Sequence, residues 1–363
     1  MTENFANASS LYSMSRPVIR AIREARRNVA ALIGAKDENE IIFTSGGTES
    51  NNTAIRSALG FDPARKEIVT SAVEHSSVRR FCQELQKEGF RVTEVGVDSE
   101  GRLKMEDLLR SLTDDTALVS LMMANNETGV LFPVEEIGRR VRERRILFHV
   151  DAVQAAGKVP IHLKETAIDF LSISAHKICG PKGVGALYIR KGVPFHPLIW
   201  GGGQQRGRRG GTENVAGIVG FGVVCQIAMR NLDRETERLG ELRNEFEKEI
   251  QNKLSGTVIH GGNALRLANT SSVRFQNVAA ETLIASLEQK GICVSTGAAC
   301  MSGSAEPSHV LMAMGVSAEE ALTAVRFSFG RFTRSEDIQI LIVELEAIVN
   351  RLRETLKSMV VIS

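Results

Sequence analysis

The chain has 363 residues, 43% of them hydrophobic and 24% charged, and 45 basic against 43 acidic residues give a formal net charge of +2. This composition is ordinary for a globular protein, and the length favours two domains over one core. The balanced charge provides no global field that would attract nucleic acid or a membrane surface. The most apolar run, residues 217–225, ends at Gln226 and is too short to cross a bilayer, and Met1-Thr2-Glu3-Asn4 lacks the basic and apolar regions of a signal peptide.

The first two thirds of the chain predict alternating strands and helices. Ser15-Arg16-Pro17 is typical of a cap followed by proline in the first turn, and apolar residues then recur at helical spacing until Gly34. Strands are predicted at residues 40–44, 67–71, 90–97, 117–122, 146–150, 168–173 and 186–189, and helices at 50–59, 76–88, 104–112 and 133–144. This order indicates an α/β fold with a mostly parallel sheet flanked by helices, in which ligands bind beyond the carboxyl ends of the strands.

From about Asn231 the pattern changes to that of a smaller α+β domain. A charged helix is predicted at residues 233–254, and the rest of the chain predicts strands at 270–275, 292–295 and 324–329 and helices at 280–290, 308–314 and 335–356. We therefore predict a large α/β domain at residues 10–232 and a small α+β domain at 233–363, with residues 1–9 packed on the small domain.

Lys177 lies in the loop Ser174-Ala175-His176-Lys177, which follows a predicted strand and is closed by Gly180-Pro181-Lys182-Gly183. A lysine aimed into a site from a strand end can be a Schiff-base nucleophile if its ammonium is desolvated or lies near other cations. Most lysines are solvated surface residues, so Lys177 alone leaves both interpretations open.

Other polar clusters also come directly after predicted strands. The glycines of 44–51 allow backbone N–H groups to approach a phosphate at a helix N-terminus, although such a turn can be purely structural. His75 is suited either to stack on an aromatic ligand or to cap a helix. Asp151, with Gln154 nearby, is suited either to pair with a protonated ring nitrogen or to cap a helix. The amides of Asn125 and Asn126 either donate to a ligand oxygen or form a polar turn.

Two loops complete the set. Residues 201–214 combine glycines with three arginines, and because no aromatic residue is interleaved, an anion site is favoured over nucleic acid. Cys300 lies in a loop of small residues, 294–308, where an accessible thiol can be a nucleophile, whereas Cys82, Cys225 and Cys293 lie on stretches typical of buried cysteines. The odd count of five cysteines without a Cys-x-x-Cys pair disfavours disulfides and zinc and favours a reducing cytoplasm.

Taken in order, these clusters are the parts of a pyridoxal-phosphate site. The sequence resembles the cysteine desulfurases of the class V aminotransferase group, which are fold-type I pyridoxal-phosphate enzymes. The resemblance covers nearly the whole chain and rests on these motifs: Thr-Ser-Gly-Gly-Thr-Glu-Ser-Asn (44–51), Glu-His-Ser-Ser-Val (74–78), Asn-Asn-Glu-Thr-Gly (125–129), His-Val-Asp-Ala-Val-Gln (149–154), Ser-Ala-His-Lys (174–177), and Ala-Ala-Cys-Met-Ser-Gly-Ser with Glu-Pro-Ser-His (298–309).

The resemblance implies how the cofactor is held at its ring. Lys177 forms the Schiff base, and His75 stacks on the pyridine ring and moves protons. Asp151 pairs with the ring nitrogen, while Gln154 and Asn126 lie near the ring oxygen and the substrate.

The resemblance also assigns the phosphate contacts. Gly47, Thr48, Ser174 and His176 hold the phosphate. Thr212 reaches the phosphate of a neighbouring subunit, which makes a homodimer part of the site.

For the substrate, the resemblance implies that Arg326 binds the carboxylate of L-cysteine through its planar fork, assisted by Asn7. Cys300 then takes the sulfur as a persulfide and L-alanine leaves. The length of the loop between Cys300 and Glu306 resembles the subgroup that serves iron–sulfur assembly, so the expected partners include an iron–sulfur scaffold or another sulfur acceptor. No resident metal is expected, with Cys300 a transient iron–sulfur ligand at most.

The sequence departs from the family at three places. The family's opening strand, close to Tyr-Leu-Asp-Asn-Asn-Ala-Thr-Thr, is absent, its Gly-Asn-Pro-Ser-Ser appears as Ala6-Asn7-Ala8-Ser9-Ser10, and Cys179 replaces a common aromatic residue. The alternatives are a selenocysteine lyase, another class V enzyme, or a cofactor-binding chain of weak activity.

Overall fold

A computed structural model describes residues 5–297 and 306–362. The chain divides into two compact units. The first comprises the chain up to Val95 together with Met105–Ala124 and Phe132–Leu232, and the second comprises Gly96–Lys104, Asn125–Leu131 and the chain from Asp233 onward. Each unit is described separately below.

The first unit is built on a seven-stranded sheet. Its strands are β1 (Ile41–Thr44), β2 (Glu67–Ser71), β3 (Arg91–Val95), β4 (Thr116–Met122), β5 (Leu147–Asp151), β6 (Phe170–Ser174) and β7 (Gly185–Ile189). In space they follow the order β1-β7-β6-β5-β4-β2-β3, and β7 alone among them runs antiparallel to its neighbours. All seven predicted strands are present, and the predicted mostly parallel sheet is confirmed.

Five helices of this unit accompany the sheet: α1 (Ser15–Leu32), α2 (Gly47–Leu59), α3 (Ser76–Lys87), α4 (Met105–Ser111) and α5 (Val134–Glu143). Ser15 was predicted to cap α1 but is its first residue, and its hydroxyl donates instead to the Asn7 carbonyl at 2.8 Å. The helix ends at Leu32, two residues before Gly34, the residue predicted to stop it, whose φ is +59°. A Cβ there would lie 2.7 Å from the Ile161 carbonyl oxygen. Glycine is therefore required both by the positive φ and by this close approach.

Helix α6 (Val215–Lys253) begins 18 residues before the predicted start at 233, so the predicted start was wrong. The glycines that discourage a helix prediction here are needed for packing. A Cβ on Gly222 would lie 2.5 Å from the Ala25 Cα, so only glycine allows α6 to approach α1 so closely. By length and composition α6 could also cross a membrane, a weak indication, since the core helix of a soluble protein passes the same test.

The second unit contains a three-stranded antiparallel sheet in the order β10-β9-β8. Its strands are β8 (Thr257–His260), β9 (Thr270–Phe275) and β10 (Ala324–Ser328), and its further helices are α7 (Ala280–Glu288), α8 (His309–Ala313), α9 (Ala318–Ala321) and α10 (Ser335–Ile362). The core includes Phe246 and Phe327, whose ring centroids lie 4.8 Å apart. This is the α+β arrangement expected from the sequence.

Two local predictions in the second unit were wrong. The strand predicted at residues 292–295 does not form, because only Ser295 pairs with the sheet, opposite Arg326. The sequence analysis also missed β8 and α9, which are short and carry weak apolar patterns.

Candidate active site

Three chemically capable side chains lie at or just after the carboxyl ends of three parallel strands of the first unit. Asp151 ends β5, His75 follows β2 by four residues, and Lys177 follows β6 by three. Their charges are close enough to influence one another. Because β2, β5 and β6 run parallel, their carboxyl ends lie along one edge of the sheet, which is where ligands bind in such folds.

The Asp151 carboxylate is buried and fixed by two hydrogen bonds. Its Oδ2 accepts from Asn51 Nδ2 at 2.7 Å, and its Oδ1 accepts from the Val153 backbone N–H at 2.9 Å. Desolvation raises the pKa of Asp151, while these hydrogen bonds and the neighbouring His75 and Lys177 act in the opposite direction. A buried carboxylate held in this way is suited to pair with a cation delivered by a ligand.

His75 caps helix α3 and is orientated by a relay of hydrogen bonds. Its Nδ1 accepts from the Ser77 backbone N–H at 3.1 Å and lies 2.8 Å from Ser77 Oγ. Asn51 Nδ2 donates to that same hydroxyl at 2.9 Å. Because the Ser77 backbone N–H donates to Nδ1, Nδ1 is the acceptor and the neutral ring carries its proton on Nε2. Desolvation and Lys177 lower the pKa of His75, and Asp151 opposes them, which favours the neutral ring.

Asn51 is the functional residue that the sequence analysis missed. One amide group donates to both Asp151 and Ser77, and so fixes Asp151 and His75 relative to each other. The residue belongs to the quoted 44–51 motif, and a polar side chain on the buried face of an amphipathic helix was the available signal.

The start of helix α2 forms a cradle of small residues. A Cβ on Gly47 would lie 2.7 Å from Val153 Cγ2, so only glycine fits beside the Asp151 strand end. Thr48 follows in the first turn, where unpaired backbone N–H groups and the helix dipole favour an anion. Ser174 borders the preceding Gly46, and its Oγ lies 2.8 Å from His176 Nδ1.

The arginines of the glycine-rich loop make contacts that differ from the expectation of an anion site. Arg206 and Arg208 donate to backbone carbonyls, including that of Asn39. Arg209 forms a two-point ion pair with Glu49 at 2.9 and 3.1 Å. Thr212, which is exposed, lines a 70 Å³ cavity beside the start of α2 with Thr44 and Ser45 among its other residues. These arginines therefore hold the loop against its own unit.

Gln154 and Asn7 lie in the first unit. Gln154 is half-buried and its Oε1 accepts from Lys158 Nζ at 3.1 Å. Asn7 is exposed and accepts from the Ser9 backbone N–H at 2.9 Å. Residues 5–9 cluster with the first unit, whereas the sequence prediction packed them on the small domain.

Asn126 and Arg326 lie together in the second unit. Arg326 Nη1 donates to the Asn126 carbonyl at 2.9 Å, and within the described part of the chain its buried Nε has no hydrogen-bond partner. Desolvation lowers the pKa of Arg326, and Glu127 opposes this effect. A desolvated guanidinium with donors to spare is suited to bind a carboxylate. Cys300 lies outside the described residues.

The donor set of the first unit fits pyridoxal phosphate. It combines a lysine, a fixed buried carboxylate, an orientated histidine and a glycine cradle at a 13-residue helix. A metal is a poorer fit, since among residues 5–297 and 306–362 no cluster of three or more His, Cys, Asp or Glu could ligate one.

Comparison with known proteins gives the same class. Residues 1–341 match the family described as aminotransferase class-V. A cysteine desulfurase of Nostoc sp. (strain PCC 7120 / SAG 25.82 / UTEX 2576) is 47% identical over 97% of this chain and 88% of its own, and the cysteine desulfurase NifS of Azotobacter vinelandii is 46% identical over the same shares. A solved NifS-like protein superposes with a TM-score of 0.89 at 39% identity, covering 96% of this chain and 92% of its own. The chain belongs to the class V aminotransferases and, within them, to the cysteine desulfurases.

Proposed function

We propose that the protein is a pyridoxal-phosphate-dependent cysteine desulfurase that converts L-cysteine to L-alanine and keeps the sulfur as a persulfide on Cys300. The observation that carries the proposal is the Asn51-linked pair of His75 and Asp151 beside Lys177. Relatives named cysteine desulfurase, at 46–51% identity over 97% of the chain, support the same activity.

The residues of the first unit would hold the cofactor. Asp151 pairs with its ring nitrogen, His75 faces the ring and Gln154 lies near the ring oxygen. The phosphate is held by Gly47, Thr48, Ser174, His176 and Thr212 of a partner subunit in a homodimer. Bound pyridoxal phosphate supplies an electron sink for the negative charge that develops at the substrate Cα. Lys177 is the nucleophile that attaches the cofactor and, as an amine near His75, exchanges protons with the substrate.

Arg326 would bind the substrate carboxylate, with Asn126 and Asn7 beside it. The Cys300 thiolate attacks the substrate Sγ, so that an S–S bond forms as the Cβ–S bond breaks. The carbon that loses sulfur takes up a proton, and the products are L-alanine and Cys300 persulfide. No external oxidant is consumed, because the oxidation of the transferred sulfur to the level of a persulfide is balanced by the reduction of Cβ, whose bond to sulfur is replaced by a bond to hydrogen.

The expected acceptor is an iron–sulfur scaffold or another sulfur-accepting protein, with Cys300 as a transient ligand during transfer. Relatives named IscS and NifS support a role in sulfur transfer of this kind. The proposal places the enzyme in the cytoplasm, with no partner nucleic acid or membrane. It also assigns cofactor binding to residues 10–232 and the cysteine loop to residues 233–363.

The test is release of alanine from L-cysteine by the wild type, Cys300→Ala, Lys177→Ala and the control Cys179→Ala. Cys179 is an exposed thiol of the first unit, so its loss should leave activity unchanged. Cys300→Ala should lose nearly all alanine release but keep the cofactor, and Lys177→Ala should lose the absorption of the lysine-bound cofactor. Equal alanine release by Cys300→Ala would overturn the persulfide mechanism. Faster turnover of selenocysteine, independent of Cys300, would favour a selenocysteine lyase.

A further inference from the structure

Glu127 lies in the second unit, and none of the steps above uses it. The residue is 2% exposed, and its Oε2 accepts a hydrogen bond from Ser308 Oγ at 2.5 Å. Ser308 also caps helix α8, since its Oγ accepts from the Leu311 backbone N–H at 3.1 Å. The carboxylate therefore binds the residue that starts α8.

The same carboxylate oxygen also packs against Gly297. A Cβ on Gly297 would lie 2.2 Å from Glu127 Oε2 and 2.7 Å from its Cδ, distances that no real Cβ contact tolerates. Gly297 immediately precedes residues 298–305, and Ser308 follows them by three positions. One buried oxygen thus touches both flanks of the segment that contains Cys300.

The position of Glu127 is itself fixed from the backbone. The backbone N–H groups of Glu127 and Thr128 donate to Asn125 Oδ1 at 2.9 and 3.0 Å. The adjacent Asn126 carbonyl accepts from Arg326, and the Arg326 backbone pairs with Ser295 at 2.7 and 3.3 Å. The flanks and the proposed carboxylate-binding arginine are therefore connected through a single turn.

We propose that Glu127 is a positioning residue that holds Gly297 and Ser308 at a fixed separation and so sets the reach of the Cys300 segment relative to Arg326. The proposal rests on Cys300 being the nucleophile of the proposed function. Desolvation raises the pKa of Glu127, while Ser308 and Arg326 oppose the rise, as expected of a carboxylate kept in place by its contacts. Misplacement of a reacting group by about 1 Å can cost up to about a hundredfold in rate.

The test uses Glu127→Ala, Gly297→Ala and the double variant, all as loaded enzyme. We expect each single variant to lower kcat for alanine release by roughly tenfold to a hundredfold, with KM for L-cysteine changed by less than about threefold, because Arg326 keeps its charge and its contact with the Asn126 carbonyl. In the double variant the added methyl meets no carboxylate, so its effect should be clearly smaller than the product of the two single effects.

A second readout does not depend on turnover. Peptide mass spectrometry measures the rate at which iodoacetamide alkylates Cys300 in a Cys293→Ala background. This rate is divided by the alkylation rate of Cys179, which is exposed in the first unit. Both variants should change this ratio by at least about threefold at a temperature well below their unfolding midpoints. A loss of stability alone would leave the ratio unchanged.

Glu247→Gln is the matched control, because Glu247 is a buried carboxylate of the same unit that pairs instead with Arg266 at 2.5 and 2.6 Å. It should lower the unfolding midpoint but leave the alkylation ratio and kcat near wild type.

The outcomes separate the positioning role from the proposed function. If Cys300→Ala is inactive but Glu127→Ala has the kcat and the alkylation ratio of the wild type, only the positioning role is overturned. If Cys300→Ala stays active, the nucleophile assignment fails, and only the alkylation ratio then decides whether Glu127 fixes the segment. Should Glu127→Ala fail to fold, Gly297→Ala carries the same test, and wild-type values for it would overturn the proposal.

Discussion

Asn51 Nδ2 donates to Asp151 Oδ2 at 2.7 Å while its second proton goes to the Ser77 hydroxyl that orientates His75. A single amide on helix α2 therefore holds both the Asp151 carboxylate and the Ser77 hydroxyl that contacts His75 Nδ1. Helix α2 therefore carries both the proposed phosphate cradle at its start and, one turn later, the amide that holds the residues proposed to contact the cofactor ring.

Asn51→Ala should weaken pyridoxal phosphate binding by about tenfold to a hundredfold. The variant removes a hydrogen bond to a carboxylate, which is worth about 1.5–3 kcal/mol, and leaves the Ser77 hydroxyl free to turn away from His75. Cofactor titration followed by absorbance measures the effect. The control is Asn28→Ala, which breaks a half-buried contact to Gln226 on α6 and should leave cofactor affinity unchanged. Equal affinities for the wild type and Asn51→Ala would contradict the role of Asn51.

Gly47→Ala should also weaken cofactor binding, by roughly tenfold, because its Cβ would meet Val153 Cγ2 at 2.7 Å and displace the start of α2. Val153→Ala removes the obstructing methyl. The double variant should therefore recover part of the lost affinity in the same titration. If the loss of binding free energy in the double variant equals the sum of the losses in the two single variants, the weaker binding of Gly47→Ala arises from the helix backbone and not from the contact with Val153.

Arg326→Lys should raise KM for L-cysteine by about tenfold with a smaller change in kcat. A lysine retains the charge but loses the fork that can bind Asn126 and a carboxylate at once. Arg353→Lys serves as the control, since the Arg353 Nε donates to the Gln276 carbonyl of the same unit. A rise in KM shared by both variants would argue for a general effect on the unit.

His149 should make the protein less stable at acidic pH. It is buried within the sheet between Ser120 and Ser172, whose hydroxyls lie 2.8 and 2.9 Å from its two ring nitrogens, and burial lowers the pKa of His149 to about 3. An unfolded histidine has a pKa of about 6.5, so the unfolded chain binds more protons as pH falls below that value and the free energy of unfolding decreases.

His149→Gln removes this contribution. Between pH 7 and pH 5 the wild type should lose about 2 kcal/mol more of its free energy of unfolding than the variant, whatever the absolute stability of each. Denaturant unfolding at the two pH values measures the difference. Parallel losses in the two proteins would show that His149 becomes protonated in the folded state.

Strands such as β1, where every residue is buried, were predictable because a strand buried on both faces forms a short, nearly continuous apolar run in the sequence. The strand predicted at residues 292–295 failed because a β-prone sequence forms a strand only where a partner lies along its length, and only Ser295 has one. The start of α6 was missed because glycines lower helix propensity, whereas close packing on Ala25 requires one at Gly222.

The candidates His75, Asp151 and Lys177 could be proposed from the sequence because each lies at or just after the end of a strand in a motif of its own. The link through Asn51 could not, because a hydrogen bond between residues 100 positions apart depends on tertiary geometry that no local pattern contains. The contacts of Arg209 with Glu49 were hidden for the same reason, since the residues are separated by 160 positions.

The reversed direction of β7 has a consequence for how the chain delivers Lys177. Because β6 and β7 are antiparallel, with Ser174 paired to Gly185, the connection between them turns back at the sheet edge, where a parallel neighbour would need a crossover over the face. The same reversal brings Gly185 against Gly46, where an added Cβ would lie 2.7 Å from the Gly46 Cα. One inverted strand therefore positions both the hairpin that carries Lys177 and the glycines proposed to hold the phosphate, so that an insertion lengthening this hairpin should disturb both.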